Sequence, residues 1–264
     1  MMPTNMHTVF DIALIGMGIQ SVDHMTLEAV QVLAECKTGF VVSMEQEGVD
    51  AFRDALLTRI SNGRDIPHLH SLSDAYQKER IRSENYLEAA QRVLDAVPDQ
   101  RPVAFLTPGH PMVLDSVSQA ILDGARKHQY KIKVVNGVSC VDSILASLHA
   151  ELAPGIQIFE ANCAMLLNTS LDSRVACILL QTSVLGTLFP IADQANLTQA
   201  WTRLRDYLGR FYPLEHSIFA VRTGDAFDQP SKIYSCSIAS LGETFEKIPL
   251  GSSLYVPGIS KPAK

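Results

Sequence analysis

Two tyrosines and an arginine stand close together in SDAYQKERIRSENYLEAA, residues 73–90: Tyr76, Arg82 and Tyr86. If a helix covers about 84–96 and its start reaches Arg82, then Arg82 and Tyr86 lie one turn apart on one face, with Tyr76 one short connection earlier. Phenol and guanidinium together suit a substrate that develops negative charge on oxygen. The guanidinium supplies fixed donors, and a tyrosine beside it is expected to have a lowered proton affinity. The same residues also make a solvated helix start with a half-buried tyrosine.

A second group follows at RPVAFLTPGHPMVLDS, residues 101–116. The apolar run from Val103 to Leu106 empties into Thr107-Pro108-Gly109-His110-Pro111, two prolines and a glycine at the end of a buried strand. This is either a rigid strand-to-helix turn or a loop shaped to face a ligand. Gly16-Met17-Gly18 ends an earlier strand, but residue 21 is Ser where a dinucleotide fingerprint has its third glycine, and Asp23 would repel a pyrophosphate. A plain tight turn is the better reading there. Gln181, ending the strand VACILLQ, carries an amide that reads an adenine edge or holds a neighbouring loop.

The elements that must position these groups are legible in outline. Strands are predicted at about 10–15, 39–44, 103–106 and 130–135, alternating with helices at about 25–36, 47–58, 84–96 and 116–128 and separated by a polar loop from Ser61 to Asp74. Leu27, Val30 and Leu33 mark the apolar face of the first helix, and Leu87, Ala90, Val93, Leu94 and Val97 that of the third. Asp115 or Ser116 caps the fourth, and Ser139 the next. Strand, helix and strand in this order predict a parallel sheet, giving an α/β protein. Around Ala153-Pro154-Gly155 the texture changes to short strands at about 157–161, 174–181, 216–222, 232–238 and 252–256, with a long helix at about 197–211. Two α/β domains are therefore expected, 1–138 and 139–264.

The chain of 264 residues is 47% hydrophobic and 19% charged, an ordinary globular composition. A net charge of −6 argues against a nucleic-acid surface, although Lys78, Arg80 and Arg82 form one basic stretch. The N-terminus carries no signal segment and no apolar run approaches a membrane span, so a cytoplasmic location without membrane association is expected. Five scattered cysteines without a CxxC pair read as reduced thiols in mostly apolar settings. His68 and His70 would share a face in an extended segment, but no third ligand has a claim on them, and no metal site is expected.

Taken in order, IALIGMGIQSVDHMTLEA, LTPGHPMV, VVNGVSCVDSILASL and ACILLQTSVLGT resemble the tetrapyrrole methylase superfamily over nearly the whole chain. Within it, the Tyr76, Arg82 and Tyr86 set, Phe159-Glu160-Ala161 with Met165 and Asn168, and FYPLEH at 211–216 are similar to borosin-type peptide backbone N-methyltransferases. The resemblance implies S-adenosylmethionine as methyl donor, S-adenosylhomocysteine as product, no metal, and a cofactor folded between two α/β domains of the tetrapyrrole methylase type. It implies cofactor contacts at Pro108, Gly109, His110, Val113, Ser139, Ala161, Gln181, Thr182 and Gly224, and catalytic roles for Arg82 and Tyr86 on an amide oxygen, with Tyr76 assisting proton removal. Relatives carry tyrosines where this chain has Pro108 and Ser73, which keeps open a tetrapyrrole or other small-molecule acceptor. A non-catalytic scaffold binding peptide or cofactor is the third alternative. Family members are homodimers, and the resemblance implies a homodimer here too. Autocatalytic ones carry their substrate on a C-terminal extension, so a precursor peptide supplied in trans is expected here.

Overall fold

The computed structural model describes residues 9–190, 194–223, 231–248 and 251–259. The chain forms two compact units that meet in sequence at Ser139 and Cys140. In the first, five parallel strands lie in the order β3-β2-β4-β1-β5: β1 (Ile12–Gly16), β2 (Thr38–Val41), β3 (His68–Ser71), β4 (Val103–Thr107) and β5 (Ile132–Val135). Every residue of β1 and β4 is buried, as central strands of a parallel sheet covered on both faces must be. The crossovers are α1 (Leu27–Glu35), α2 (Gln46–Ala55), α3 (Arg82–Gln100) and α4 (Ser116–His128).

Alternation along the strands sorts the helices. Ala13, Ile15, Ala104 and Leu106 point to the face covered by Val30 and Leu33 of α1 and Phe52 of α2. Ile12, Leu14, Val103 and Phe105 point to the face covered by Ala89, Val93 and Val97 of α3 and Val117 and Ile121 of α4. Side chains one apart in a strand face opposite ways, so two cores form across one sheet.

The second unit opens with α5 (Cys140–Leu148) and builds its sheet from β6 (Ile156–Glu160), β7 (Ala176–Leu180), β8 (Ser217–Arg222), β9 (Lys232–Ser237) and β10 (Ser253–Val256). Their order is β6-β7-β10-β8-β9, with β6 and β7 parallel and the remaining pairs antiparallel. Three helices complete it: α6 (Ala161–Leu166), α7 (Gln194–Leu208) and α8 (Leu241–Thr244). Trp201, Leu204 and Leu208 of α7 pack with Leu179, Ala220 and Leu254 of the sheet.

Several predicted boundaries move. The expected polar loop at 61–74 contains β3, an edge strand whose single apolar inward residue is Leu69. The second helix ends at Ala55 and continues as a π-type turn to Ile60. The third extends to Gln100 through Pro98, and the long helix of the second unit stops at Leu208, leaving Phe211 in the following turn. Leu27 and Leu87, assigned to apolar faces, are 83% and 62% exposed. Leu27 opens α1 and Leu87 lies in the second turn of α3, on sides of these helices turned to solvent. Among the described residues no helix is long and apolar enough to cross a membrane. All five cysteines are free, and Cys163 departs from the apolar reading by being exposed.

Candidate active site

β1 and β4 are adjacent, yet α1 leaves toward one face of the sheet and α4 toward the other. Such a divergence opens a crevice outside the carboxyl ends of the two strands. The loops that follow them are tied across it. Gly18 N–H donates to the Gly109 carbonyl at 3.2 Å, Gly109 N–H to the Gly18 carbonyl at 2.8 Å, and Met17 N–H to the Thr107 carbonyl at 2.9 Å. Gly18 and Gly109 both take left-handed φ, 74° and 76°, which only glycine adopts without cost. Gly16 lies so close to Gly137 that a Cβ on it would sit 2.7 Å from the Gly137 Cα.

Side chains fix this edge further. Met112 N–H donates to His110 Nδ1 at 3.0 Å, so the ring proton is on Nε2, which donates to Asn136 Oδ1 at 3.3 Å. His110 thus joins the loop after β4 to the loop after β5. His24 Nδ1 accepts from Ile19 and Gln20 N–H, each at 3.3 Å, and holds the turn after β1. Pro108 is exposed, Val113 is half-buried with its N–H on the His110 carbonyl at 2.9 Å, and Ser139 is buried. Leu114 takes φ 54°, an uncommon left-handed conformation for a bulky residue, between this loop and α4. Asp115 then caps α4, accepting from Val117 and Ser118 N–H and from the Ser118 hydroxyl.

The tyrosine–arginine set lies at the same end of the sheet, on the chain that follows β3. Tyr76 and Tyr86 pack against the core beneath α3 and α4, their rings edge-on with centroids 6.0 Å apart. Arg82 opens α3, one turn before Tyr86. Burial, the Asp115 carboxylate and Tyr86 all push the Tyr76 phenol above its ordinary value. The expected lowered proton affinity is therefore reversed: Tyr76 is a hydrogen-bond donor, and its environment does not favour a phenolate base. Sequence reasoning missed Asn85, which is wholly buried between Arg82 and Tyr86. Asn85, Ala89, Val93 and Val97 follow one another at helical spacing along a buried stripe, and only that stripe marks the asparagine as an inward residue. Asn136 and Asp115, in its electrostatic reach to Tyr76, were missed as well.

In the second unit Ala161, Gln181 and Thr182 come to the carboxyl ends of the parallel neighbours β6 and β7. Gln181 turns the chain with φ 58°, and the buried Thr182 hydroxyl donates to the Ser252 carbonyl at 2.6 Å. Asn162, also missed, donates to the Val184 carbonyl at 3.1 Å and accepts from Gly186 N–H at 2.7 Å, so one amide ties α6 to the loop after β7. Gly224 lies outside the described residues. His68 and His70 do meet edge-on at 4.5 Å, but among the described residues no cluster of three metal-ligating side chains forms.

The chain is similar to a methyltransferase/type II borosin cyclic peptide precursor of Phlebiopsis gigantea, 28% identical over 93% of this chain and 42% of that protein. It is also similar to a methyltransferase/type I borosin cyclic peptide precursor of Cerrena unicolor, 26% identical over 92% of this chain and 57% of the other. The chain thus spans about half the length of these curated relatives. Among solved structures, uroporphyrin-III-C-methyltransferase from Thermus thermophilus shares the fold with a TM-score of 0.64 at 18% identity, over 95% of this chain and 93% of the other. Cobalt precorrin-4 methyltransferase does so with a TM-score of 0.60 at 12% identity, over 93% and 94%. The family profile of tetrapyrrole (corrin/porphyrin) methylases matches residues 11–233, more than half of the chain, and the chain belongs to that family.

Proposed function

We propose that this protein transfers a methyl group from S-adenosylmethionine to backbone amide nitrogens of a separate precursor peptide, as in borosin biosynthesis. The observation that carries the reading is the placement of Tyr76, Arg82 and Tyr86 at the same end of one parallel sheet as the Gly109-His110 loop. The names of the relatives matched over 92–93% of the chain support it.

The groups around the loop fit such a donor. The edge carries the loop backbone of Gly18 and Gly109, the His110 imidazole and the Asp115 carboxylate. Pro108, Gly109, His110, Val113 and Ser139 of the first unit, with Ala161, Gln181, Thr182 and Gly224 of the second, are the residues proposed to hold it. When bound it supplies an electrophilic methyl on a sulfonium, which needs no metal. The chain's own residues must then deal with the acceptor. An amide nitrogen is a poor nucleophile because its lone pair is delocalised into the carbonyl. Arg82, Tyr86 and the protonated Tyr76 donate to the amide oxygen and favour the imidate-like form as the N–H proton leaves to water. Rigid placement of the acceptor against the donor contributes the rest.

The test is a mass spectrum of a candidate precursor peptide after incubation with the protein and S-adenosylmethionine. A gain of about 14 Da on a backbone fragment, one methyl replacing the amide hydrogen, is the expected result. Cofactor binding with no transfer to any peptide overturns the reading, and transfer to a tetrapyrrole in its place redirects it to the small-molecule acceptor.

A further inference from the structure

We propose that Asn85 is a positioning residue that sets the Tyr76 phenol against Tyr86 and Arg82, an inference that rests on the methyl-transfer reading above. Asn85 is 0% exposed. Its Oδ1 accepts from Gln77 N–H at 3.3 Å, and its Nδ2 donates to the Gln77 carbonyl at 2.9 Å. One side-chain amide thus holds both polar groups of one backbone residue, the exchange that a paired strand would otherwise supply.

The place of this contact gives it its role. Gln77 directly follows Tyr76, and Asn85 directly precedes Tyr86. The amide therefore fixes the spacing between the two aromatic residues whose rings meet at 6.0 Å. Gln77, Lys78 and Glu79 are exposed, and Arg80 N–H donates to the Gln77 carbonyl at 3.3 Å. A further tie from this region to α3 is Asp74 on Arg92 at 2.7 Å, with side chains 69% and 35% exposed. Solvent weakens such a pair. Packing alone would place an apolar residue beside Ala89 on this stripe, because burying an amide is tolerated only when its hydrogen bonds are made.

The expected consequence of losing the amide is a Tyr76 free to drift relative to Arg82 and Tyr86. An Asn85→Ala protein should bind S-adenosylmethionine with parental affinity and keep its peptide KM, while kcat falls on the order of 10-fold to 10²-fold. Hydrogen exchange at the Gln77 amide should accelerate in the same protein. Parental kcat, or parental protection at Gln77, overturns the proposal.

If Asn85→Ala does not fold, Asn85→Asp supplies the readout. A protonated carboxyl reproduces both bonds, O–H to the Gln77 carbonyl and C=O to its N–H, whereas a carboxylate loses the donor. Turnover of Asn85→Asp relative to the parent should therefore rise as pH is lowered from about 8 to about 6, because burial raises a carboxyl's proton affinity. A pH-independent ratio overturns the proposal, since a general loss of fold would not recover with protonation. Should the parent methylate no peptide, the functional reading fails by itself. The Gln77 exchange rate still decides whether Asn85 positions the tyrosine.

Discussion

At Tyr76 the expectation from spacing and the surroundings in the fold point in opposite directions. The guanidinium that sequence spacing puts near it would favour the phenolate, but burial, the Asp115 carboxylate and Tyr86 all favour the phenol, with burial the largest cause. The consequence is a donor that stays protonated as pH rises through the ordinary tyrosine value of 10.0. The expected pH–rate profile has no ascending limb from Tyr76 ionisation between about pH 7 and about pH 10, and stopped-time methylation assays across that range check it. Tyr76→Phe keeps the ring against Tyr86 and removes only the donor. Turnover should fall on the order of 10²-fold with cofactor affinity unchanged, measured by calorimetry beside the rate. An equal loss in Tyr76→Phe and Tyr76→Ala at parental stability would agree with this, whereas a parental rate in Tyr76→Phe would leave the hydroxyl without a role. Arg82→Lys tests geometry at constant charge. An ammonium lacks the planar fork, so this change should also lower kcat.

At the level of elements, the glycine contact beneath the loops is the feature most sensitive to one atom. A Cβ on Gly137 would fall within contact of the Gly109 carbonyl and the Gly16 backbone, none of which can swing aside as a side chain does. Gly137→Ala should lower stability by about 1–3 kcal/mol or more and weaken cofactor binding as the loop after β4 shifts, whereas a Cβ at Gly48, on the exposed side of α2, meets only the Met44 Cβ at an ordinary 3.7 Å, so Gly48→Ala serves as the comparison. Urea titration of both variants makes the comparison. How far the elements can be read from the chain depends on how much of each is buried. The helices with long apolar stripes and the wholly buried β1 and β4 announce themselves by periodicity. His68-Leu69-His70-Ser71 does not, because an edge strand needs one inward apolar residue and leaves the others to solvent. Strand order is equally hidden, since periodicity marks β4 as a strand without saying that it inserts between β2 and β1. The tyrosine–arginine set was visible from residue type and spacing. Asn85 was not, because an asparagine in SENYLE reads as surface until the stripe it shares with Ala89 and Val93 is drawn.

Across the whole molecule, protons held by burial are distributed through both units and give a single solution property. Cys36 in the first unit and Cys177 in the second are each pushed up to about 12 by burial. Tyr207 is likewise pushed up to about 12, and Tyr76 and Tyr212 are also raised, with burial the leading cause in each. An unfolded chain releases these protons near the ordinary thiol and phenol values of 9.0 and 10.0, whereas the folded chain retains them. Each raised group therefore contributes stability that is complete below its unfolded value and is lost as pH climbs toward the folded one. While a group is ionised only in the unfolded state, it removes about 1.4 kcal/mol per pH unit. The thermal midpoint should thus decline progressively above about pH 9, with steepening as the tyrosines join the thiols. Cys36→Ala and Cys177→Ala each create a small cavity and lower the midpoint at neutral pH. Each should also make the alkaline decline shallower, because one proton-linked contribution is gone. Calorimetric scans of the parent and both variants between about pH 7 and about pH 11 separate the two effects. A parental slope in both variants would mean that the thiols do not carry the alkaline loss.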